Sequence, residues 1–329
     1  MRAGATAIRI SLPQAQLVDP AAGKDILFFS TNRAHIARQQ MLFQELSDRI
    51  HVVEISTGTA GQTMDKNALD FIGGYFVALD RFKPKAVIIR ADRYEQLPAA
   101  MLAAYKGIPV FHIEGGDMSG AIDNKVRHAI SHLADYHFCT NEQSRQRLVA
   151  MGLNEERIWN YGSLDAEYAH VRGENLKHPF DGKPFALILF HPIPGEQDIT
   201  PWVESSIIDS EMRKIYIKPN QDYSQTAGGE EYGPDAYLGL LKHAHILIGN
   251  SSSFLKEASV YGTPTILVGG RQNGRLRPQQ VAAIACERAT LRHAIWQERN
   301  RGYAKYTYPS PYYQSDTAKR MALKIRELV

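Results

Sequence analysis

Short, uninterrupted apolar runs recur along the chain, separated by longer stretches whose apolar residues return at helical spacing. Runs at 25–30, 51–55, 86–90, 109–113 and 136–139 read as buried strands, because a strand covered on both faces shows no polar alternation. The stretches at 34–46, 68–82, 97–105, 124–133 and 141–151 carry the helical period. Strict alternation of the two predicts a parallel sheet with crossover helices on both faces. The pattern then restarts, with strand-like runs at 185–190, 214–217, 245–248 and 265–268. A polar stretch at 166–183, containing Gly173, Pro179 and Gly182, reads as the linker between the two series. The last segment, 315–329, combines alternating charge with an apolar stripe and reads as a helix.

The predicted fold class is α/β: two doubly wound, Rossmann-like domains facing a central cleft, with ligands beyond the carboxyl ends of the strands. Residues 1–24 form an N-terminal extension with short structure or none, 25–168 the first domain, 169–314 the second and 315–329 the closing helix. A length of 329 residues suits two domains. The balance of 44% hydrophobic and 22% charged residues is that of a globular protein. No apolar stretch reaches the length of a membrane span or a signal peptide, so the expected setting is the cytoplasm, with no membrane partner. Cys139 and Cys286 lie far apart without metal spacing and read as reduced, buried thiols. A net charge of +3, from 38 basic and 35 acidic residues with no basic block, gives no case for nucleic acid and suits a small anionic substrate.

Polar clusters fall where the strands end. The richest is FHIEGGDMSGAIDNKVRH, from Phe111 to His128, where an apolar strand breaks at Glu114-Gly115-Gly116-Asp117 and Asp123 follows. Three carboxylates cannot all cap one helix, so at least one is expected to face the cleft. Gly115 and Gly116 are expected to make room for a ligand, and Asn124 and Lys125 to be helix surface. Ser30-Thr31-Asn32-Arg33, with Arg38 beyond, is either an anion-binding turn or a solvated helix cap. Asp92, in the run Asp92-Arg93-Tyr94-Glu95, is either a cap acceptor or a cleft residue. In the second half His191 ends the first strand, where histidine suits proton transfer. Gly249-Asn250-Ser251-Ser252-Ser253, leading to Glu257, has the form of a phosphate seat built from hydroxyls and a helix start. Arg271 and Arg275, in a glycine-rich loop, suit a second anion contact.

Taken together these motifs resemble the UDP-N-acetylglucosamine 2-epimerases, in particular the hydrolysing branch that forms N-acetylmannosamine. HIEGGDxSGxIDxxxRHAI, from His112 to Ile130, is similar to that branch's signature, as are GNSSS with Glu257, the RQxGR run from Arg271 to Arg275, the ADR at Asp92, His191-Pro192 and the PNxD at Pro219. The resemblance implies a glycosyltransferase-B-like fold whose C-terminal helix packs back on the first domain. It implies UDP on the second domain, with Ser251 and Ser252 at the diphosphate, Glu257 at the ribose, and Arg271, Arg275, Asn220, Arg33, Arg38 and Arg93 assisting. The sugar then falls to Asp92, Glu114 and Asp123, with His191 as the family's catalytic histidine. The implied reaction loses UDP and the C2 proton to give a glycal, which water then attacks, and it needs neither metal nor redox cofactor. The implied assembly is a homodimer or homotetramer. Two departures stand out: the first turn reads STNRAH where the family has TGTRAD or TGTRPE, and the segment between Asp222 and Tyr237, with Gly229, Gly233 and Pro234, reads as a loop.

Other readings compete. The same branch includes enzymes for UDP-2,4-diacetamido-2,4,6-trideoxyhexose, and the non-hydrolysing epimerases interconvert UDP-GlcNAc and UDP-ManNAc. A non-catalytic UDP-sugar-binding protein needs the serine–glutamate half but not Asp92, Glu114, Asp123 and His191 together. A glycosyltransferase of the same fold needs an acceptor site that no motif marks.

Overall fold

The computed structural model describes residues 7–11, 24–30, 33–56, 64–120, 123–191, 200–206, 212–219 and 229–329, without the side chains of 7–11, 33–35, 54–56, 64–70 and 204. The chain divides into two compact units. Unit 1 comprises Met1–Asp117, Ile122–Leu164 and Gln314–Val329; unit 2 comprises Met118–Ala121 and Asp165–Tyr313.

Unit 1 is built on seven strands: β1 (Ala7–Ser11), β2 (Ile26–Ser30), β3 (Ile50–Ser56), β4 (Ala86–Arg90), β5 (Val110–Ile113), β6 (Tyr136–Cys139) and β7 (Ile158–Asn160). They lie in the order β1-β3-β2-β4-β5-β6-β7, every neighbouring pair parallel. The pleat sends alternate side chains of β2 to opposite faces. Ile26 and Phe28 pack with Leu42, Phe43 and Phe111, while Leu27 and Phe29 pack with Phe71, Tyr75 and Ile130. From β2 the chain builds β3 on one side, then crosses to build β4 on the other. The reversal opens a crevice between the carboxyl ends of β2 and β4, where an open α/β sheet takes its ligands.

Unit 2 repeats the plan with β8 (Phe185–Leu189), β9 (Arg213–Tyr216), β10 (Ile246–Gly249), β11 (Thr265–Val268) and β12 (Val281–Ile284), ordered β12-β11-β10-β8-β9 and all parallel. Here the reversal lies between β8 and β10.

Several elements differ from the sequence expectation. The linker predicted at 166–183 is helical over Leu164–Gly173, and residues 164–169 are buried all round the helix, Leu164 in one core cluster and Ala166 in another. The single helix predicted at 34–46 is two, Arg33–Arg38 and Gln40–Glu45, separated at Gln39, whose φ of −108° is not helical. The loop predicted around Gly233 and Pro234 starts the helix Pro234–His243, with proline at its first position, where it has no bond to lose; residues 220–228 lie outside the described residues. Strands β7 and β12 were not predicted, since each is a short edge strand with mixed burial. Of the predicted N-terminal extension, Ala7–Ser11 forms β1 and pairs with β3. Cys139 is buried, with its thiol pushed well up by burial, but Cys286 is only half-buried. Among the described residues no helix is long and apolar enough to cross a membrane.

The closing helix, Thr317–Leu328, lays Ala318, Met321, Ala322 and Ile325 on one face of the unit 1 core, at the spacing of an amphipathic helix. Ile325→Ala should therefore cost about 2–4 kcal/mol of unfolding free energy. Leu323→Ala, at a side chain 58% exposed, should cost less than about 0.5 kcal/mol. Urea titration of the two variants checks this, and equal losses would contradict the packing.

Candidate functional site

In unit 1 the strand ends are organised by two buried arginines. Arg90 closes β4, and its guanidinium donates to Glu114 Oε1 from Nε at 3.0 Å and from Nη2 at 2.5 Å. Both side chains are almost wholly buried, at 4% and 6% exposure. Glu114 follows β5 with a φ of +68°, a backbone state rare outside glycine, and its N–H donates to Phe138 O on β6. Arg127, on the helix Asp123–Leu133, is fully buried. It donates to Asp92 Oδ2, to Asn124 Oδ1 at 2.9 Å and to the carbonyl of Asp117 at 2.8 Å. An unpaired charge at such depth costs several kcal/mol, so the two carboxylates are fixed by their partners. Asp123 opens the same helix, half-buried, one residue before Asn124.

Ala91, with a φ of +65°, sets the turn between Arg90 and Asp92. His112 holds that turn: its Nε2 lies 2.9 Å from Ala91 O and its Nδ1 3.1 Å from Ser131 Oγ. A carbonyl can only accept, so Nε2 carries a proton. Burial pushes the His112 pKa down to about 4, and burial pushes that of His137, whose ring lies 6.2 Å away, down to about 3. Asp117 is buried and structural: its Oδ1 accepts from Thr140 at 2.6 Å and Ser144 at 2.8 Å.

Three expectations change here. A Cβ on Gly116 would lie 2.2 Å from Ser144 O, and one on Gly115 would lie 3.1 Å from His112 Nδ1. The two glycines thus make room for the protein's own helix and histidine, not for a ligand. Asn124, expected as helix surface, is a partner of Arg127. Arg93 lies in an ion pair with Glu95 at 2.7 Å. Arg38 is half-buried at the end of the helix Arg33–Arg38, and the side chain of Arg33 lies outside the described residues, as do Thr31, Asn32, Pro192 and Asn220.

Unit 2 gathers its polar groups around Asn250, at the reversal between β8 and β10. Asn250 Oδ1 accepts from the His191 N–H at 2.7 Å, and its Nδ2 donates to His191 O at 2.9 Å. The Asn250 carbonyl in turn accepts from Arg271 at 3.1 Å and Gln272 at 2.9 Å. Gly249, at a φ of +153°, lets β10 turn there, since a Cβ would strike Leu189 O. The imidazole of half-buried His191 is pushed down to about 3, first by desolvation and then by the Arg271 charge, so it is neutral at neutral pH.

The serines divide the work. Tyr237, Ser253 and Ser251 form a hydroxyl chain, at 2.5 and 2.9 Å. Ser252 is half-buried, and its hydroxyl has no hydrogen-bond partner among the described residues. Ser252–Phe254 is a single 3-10 turn and Glu257–Val260 a four-residue helix, so the expected helix dipole is small and the hydroxyls dominate. Glu257 is buried at 1% exposure, beside Lys256, which faces Asp165 at 3.8 Å. Residues Met118–Ala121 join unit 2 through the arginine loop: Gly120 N–H donates to Arg271 O at 2.8 Å, and Arg275 Nε donates to Met118 O at 3.0 Å.

Sequence reading missed Arg90, His112 and Asn250 as organisers. The available signals were a charge inside an apolar strand run at Arg90 and, for the unassigned Arg127, its position one helical turn after Asp123.

His112 and His137 are held neutral, whereas an unfolded histidine titrates near pH 6.5. Below pH 6.5 the unfolded chain binds more protons, so stability falls as pH falls toward about 4. Each histidine contributes up to about 1.4 kcal/mol per pH unit over that range. Urea titration between pH 7.5 and 5 should show the decline, and His137→Asn should lessen its slope; an unchanged slope would refute the assignment.

The family model of UDP-N-acetylglucosamine 2-epimerase matches residues 28–326. A Legionella pneumophila protein named UDP-N,N'-diacetylbacillosamine 2-epimerase (hydrolyzing) is 31% identical over 71% of this chain and 69% of its own length. A Neisseria meningitidis serogroup B UDP-N-acetylglucosamine 2-epimerase is 32% identical over 66% of this chain and 64% of its own. The matched span therefore reaches about two thirds of these relatives. Among solved structures, UDP-GlcNAc 2-epimerase from Neisseria meningitidis bound to UDP-GlcNAc has a TM-score of 0.77 at 17% identity, over 97% of this chain and 100% of that one. The Methanocaldococcus jannaschii UDP-GlcNAc 2-epimerase in complex with UDP-GlcNAc and UDP has a TM-score of 0.75 at 15% identity, over 98% of this chain and 100% of that one.

Proposed function

The chain belongs to the UDP-N-acetylglucosamine 2-epimerase family, and within it we propose a hydrolysing enzyme that converts UDP-GlcNAc and water to N-acetylmannosamine and UDP. The observation that carries this reading is the end of β4 and β5. Two carboxylates are fixed there by buried guanidiniums, and a third, Asp123, stands half-buried at the start of the helix that supplies Arg127. A C2 epimerisation through a glycal needs a carboxylate that takes the C2 proton and groups that orient the sugar without taking it.

Glu114 accepts two guanidinium hydrogen bonds from Arg90 and Asp92 one from Arg127, and a carboxylate paired with a buried guanidinium is a poor base. Proton removal is therefore assigned to Asp123, and the positioning of the sugar to Glu114 and Asp92. In the first step the C2–H bond breaks toward Asp123, a C1–C2 double bond forms, and the C1–O bond to UDP breaks with its electrons on the diphosphate. In the second step water supplies the new C1 hydroxyl, and a solvent-derived proton returns to C2 from the opposite face. Unit 2 supplies what a diphosphate needs: the open Ser252 hydroxyl, Arg271 and neutral His191. The charge of a bound diphosphate raises the His191 pKa, readying it to carry a proton to the leaving oxygen. The relative named for UDP-N,N'-diacetylbacillosamine supports a second substrate, the 2,4-diacetamido sugar nucleotide, on the same residues.

NMR of the products formed in deuterated water tests this. The expected products from UDP-GlcNAc are free UDP and N-acetylmannosamine carrying deuterium at C2. UDP-ManNAc as product would replace the hydrolysing reading with the non-hydrolysing one, and turnover of the diacetamido sugar nucleotide alone would establish the second substrate. Asp123→Asn should lower UDP release at least about 100-fold. Glu114→Gln should lower it as well, but at a cost of about 3–5 kcal/mol in stability, since Arg90 loses its charge partner. Near-normal turnover by Asp123→Asn would sink its assignment as the base.

A further inference from the structure

Unit 2 carries a cavity of about 430 Å3 along the helix Arg288–Asn300, a volume in the range of pockets for small organic ligands. The bordering face presents Arg292, Ile295, Trp296 and Arg299, at i, i+3, i+4 and i+7. Buried Ile295 and the half-buried ring of Tyr303 supply apolar lining continuous with the core. Trp296 is 56% exposed, stacked on His293 with ring centroids 5.8 Å apart and planes at 24°. An indole 56% exposed beside a cavity, with one face stacked on His293, offers its remaining surface for a second ring.

The charges point the same way. Arg292 and Arg299 have neither hydrogen bond nor ion pair through their guanidiniums among the described residues. Other arginines around this helix are engaged: Arg288 donates to Ser205 and Arg301 to Glu298. Glu298, the acid within the helix, is taken by Arg301 and Tyr306 and so does not neutralise the pair. Seven residues of helix separate Arg292 and Arg299 by about 10 Å, a span that two arginine side chains can close over the intervening Trp296.

We propose that this cavity binds a small ligand carrying an aromatic or heteroaromatic ring and an acidic group, with the ring on Trp296 and the phosphate or carboxylate between Arg292 and Arg299. The two halves of that ligand match the two kinds of unsatisfied surface: a flat apolar face and a pair of planar cations that bind oxyanions. The site shares no residue with the UDP-sugar chemistry and does not depend on that reading.

The protein has three tryptophans, Trp159, Trp202 and Trp296, so indole N–H resonances of 15N-labelled protein report on the site directly. Trp296→Phe assigns the signal, and saturating UDP is kept present throughout so that nucleotide-binding residues do not contribute. Phenyl phosphate or benzoate should shift the Trp296 signal saturably, and whichever binds more tightly identifies the acid. Inorganic phosphate and benzyl alcohol, each bearing half the chemistry, should bind at least about ten times more weakly. The double variant Arg292→Gln/Arg299→Gln should lose at least about tenfold in affinity for phenyl phosphate while keeping its fold and its UDP-sugar turnover. Absence of a saturable shift, an equal response to either half-ligand, or full affinity in the double variant would overturn the proposal.

Discussion

Two guanidiniums without access to water, Arg90 and Arg127, dictate the chemistry at the end of the unit 1 sheet. A buried arginine must be met by carboxylate or carbonyl oxygens in fixed geometry, or the fold pays several kcal/mol. Glu114, Asp92, the Asp117 carbonyl and Asn124 meet that demand. The result is a set of acidic groups whose positions are set from beneath by charge and need no ligand to organise them. His112 completes the frame by holding the carbonyl of Ala91, the residue whose left-handed turn separates Arg90 from Asp92.

Unit 2 solves the same architectural problem with neutral groups. At its strand reversal the organiser is Asn250, whose amide satisfies both backbone polar groups of His191 and whose carbonyl anchors Arg271 and Gln272. The difference suits the roles proposed for the two units. A sugar is oriented by fixed acids, whereas a diphosphate brings its own negative charge and is better met by hydroxyls, a neutral imidazole and an arginine held through a carbonyl. Burial also explains why His112, His137 and His191 are neutral: the loss of hydration dominates in each, and at His112 it outweighs the upward pull of Glu114 and Asp117.

Much of this was legible in the chain. Apolar runs such as those at 86–90 and 265–268 became strands because a parallel strand buried on both faces has no alternative composition. The clusters at Glu114, His191 and Ser251 were visible because polar residues at the end of such a run have few structural reasons to be there. What stayed hidden has a common physical cause. The helix Leu164–Gly173 reads as polar linker because its buried turn mixes small residues, Ala166 and Ala169, with buried Asp165 and Glu167, which give no hydrophobic pattern. The roles of Gly115 and Gly116 depend on His112 and on Ser144, the latter well away in sequence, so spacing alone could not separate room for a helix from room for a ligand.

The sequence by itself determined that there are two parallel α/β units, that their polar clusters lie at strand ends, and which family the chain resembles. These follow from local composition and from motifs that local segments carry whole. Only the tertiary structure decided which charge meets which. Arg90 and Glu114 are 24 positions apart, and Arg127 and Asp92 are 35 apart. Their pairing is a property of strand order and register, which bring Arg90 beside Ile113 and so within reach of Glu114. The same holds for the hydroxyl left open: three consecutive serines are equivalent as letters, and the fold closes Ser251 and Ser253 into a chain with Tyr237 while leaving Ser252 half-exposed.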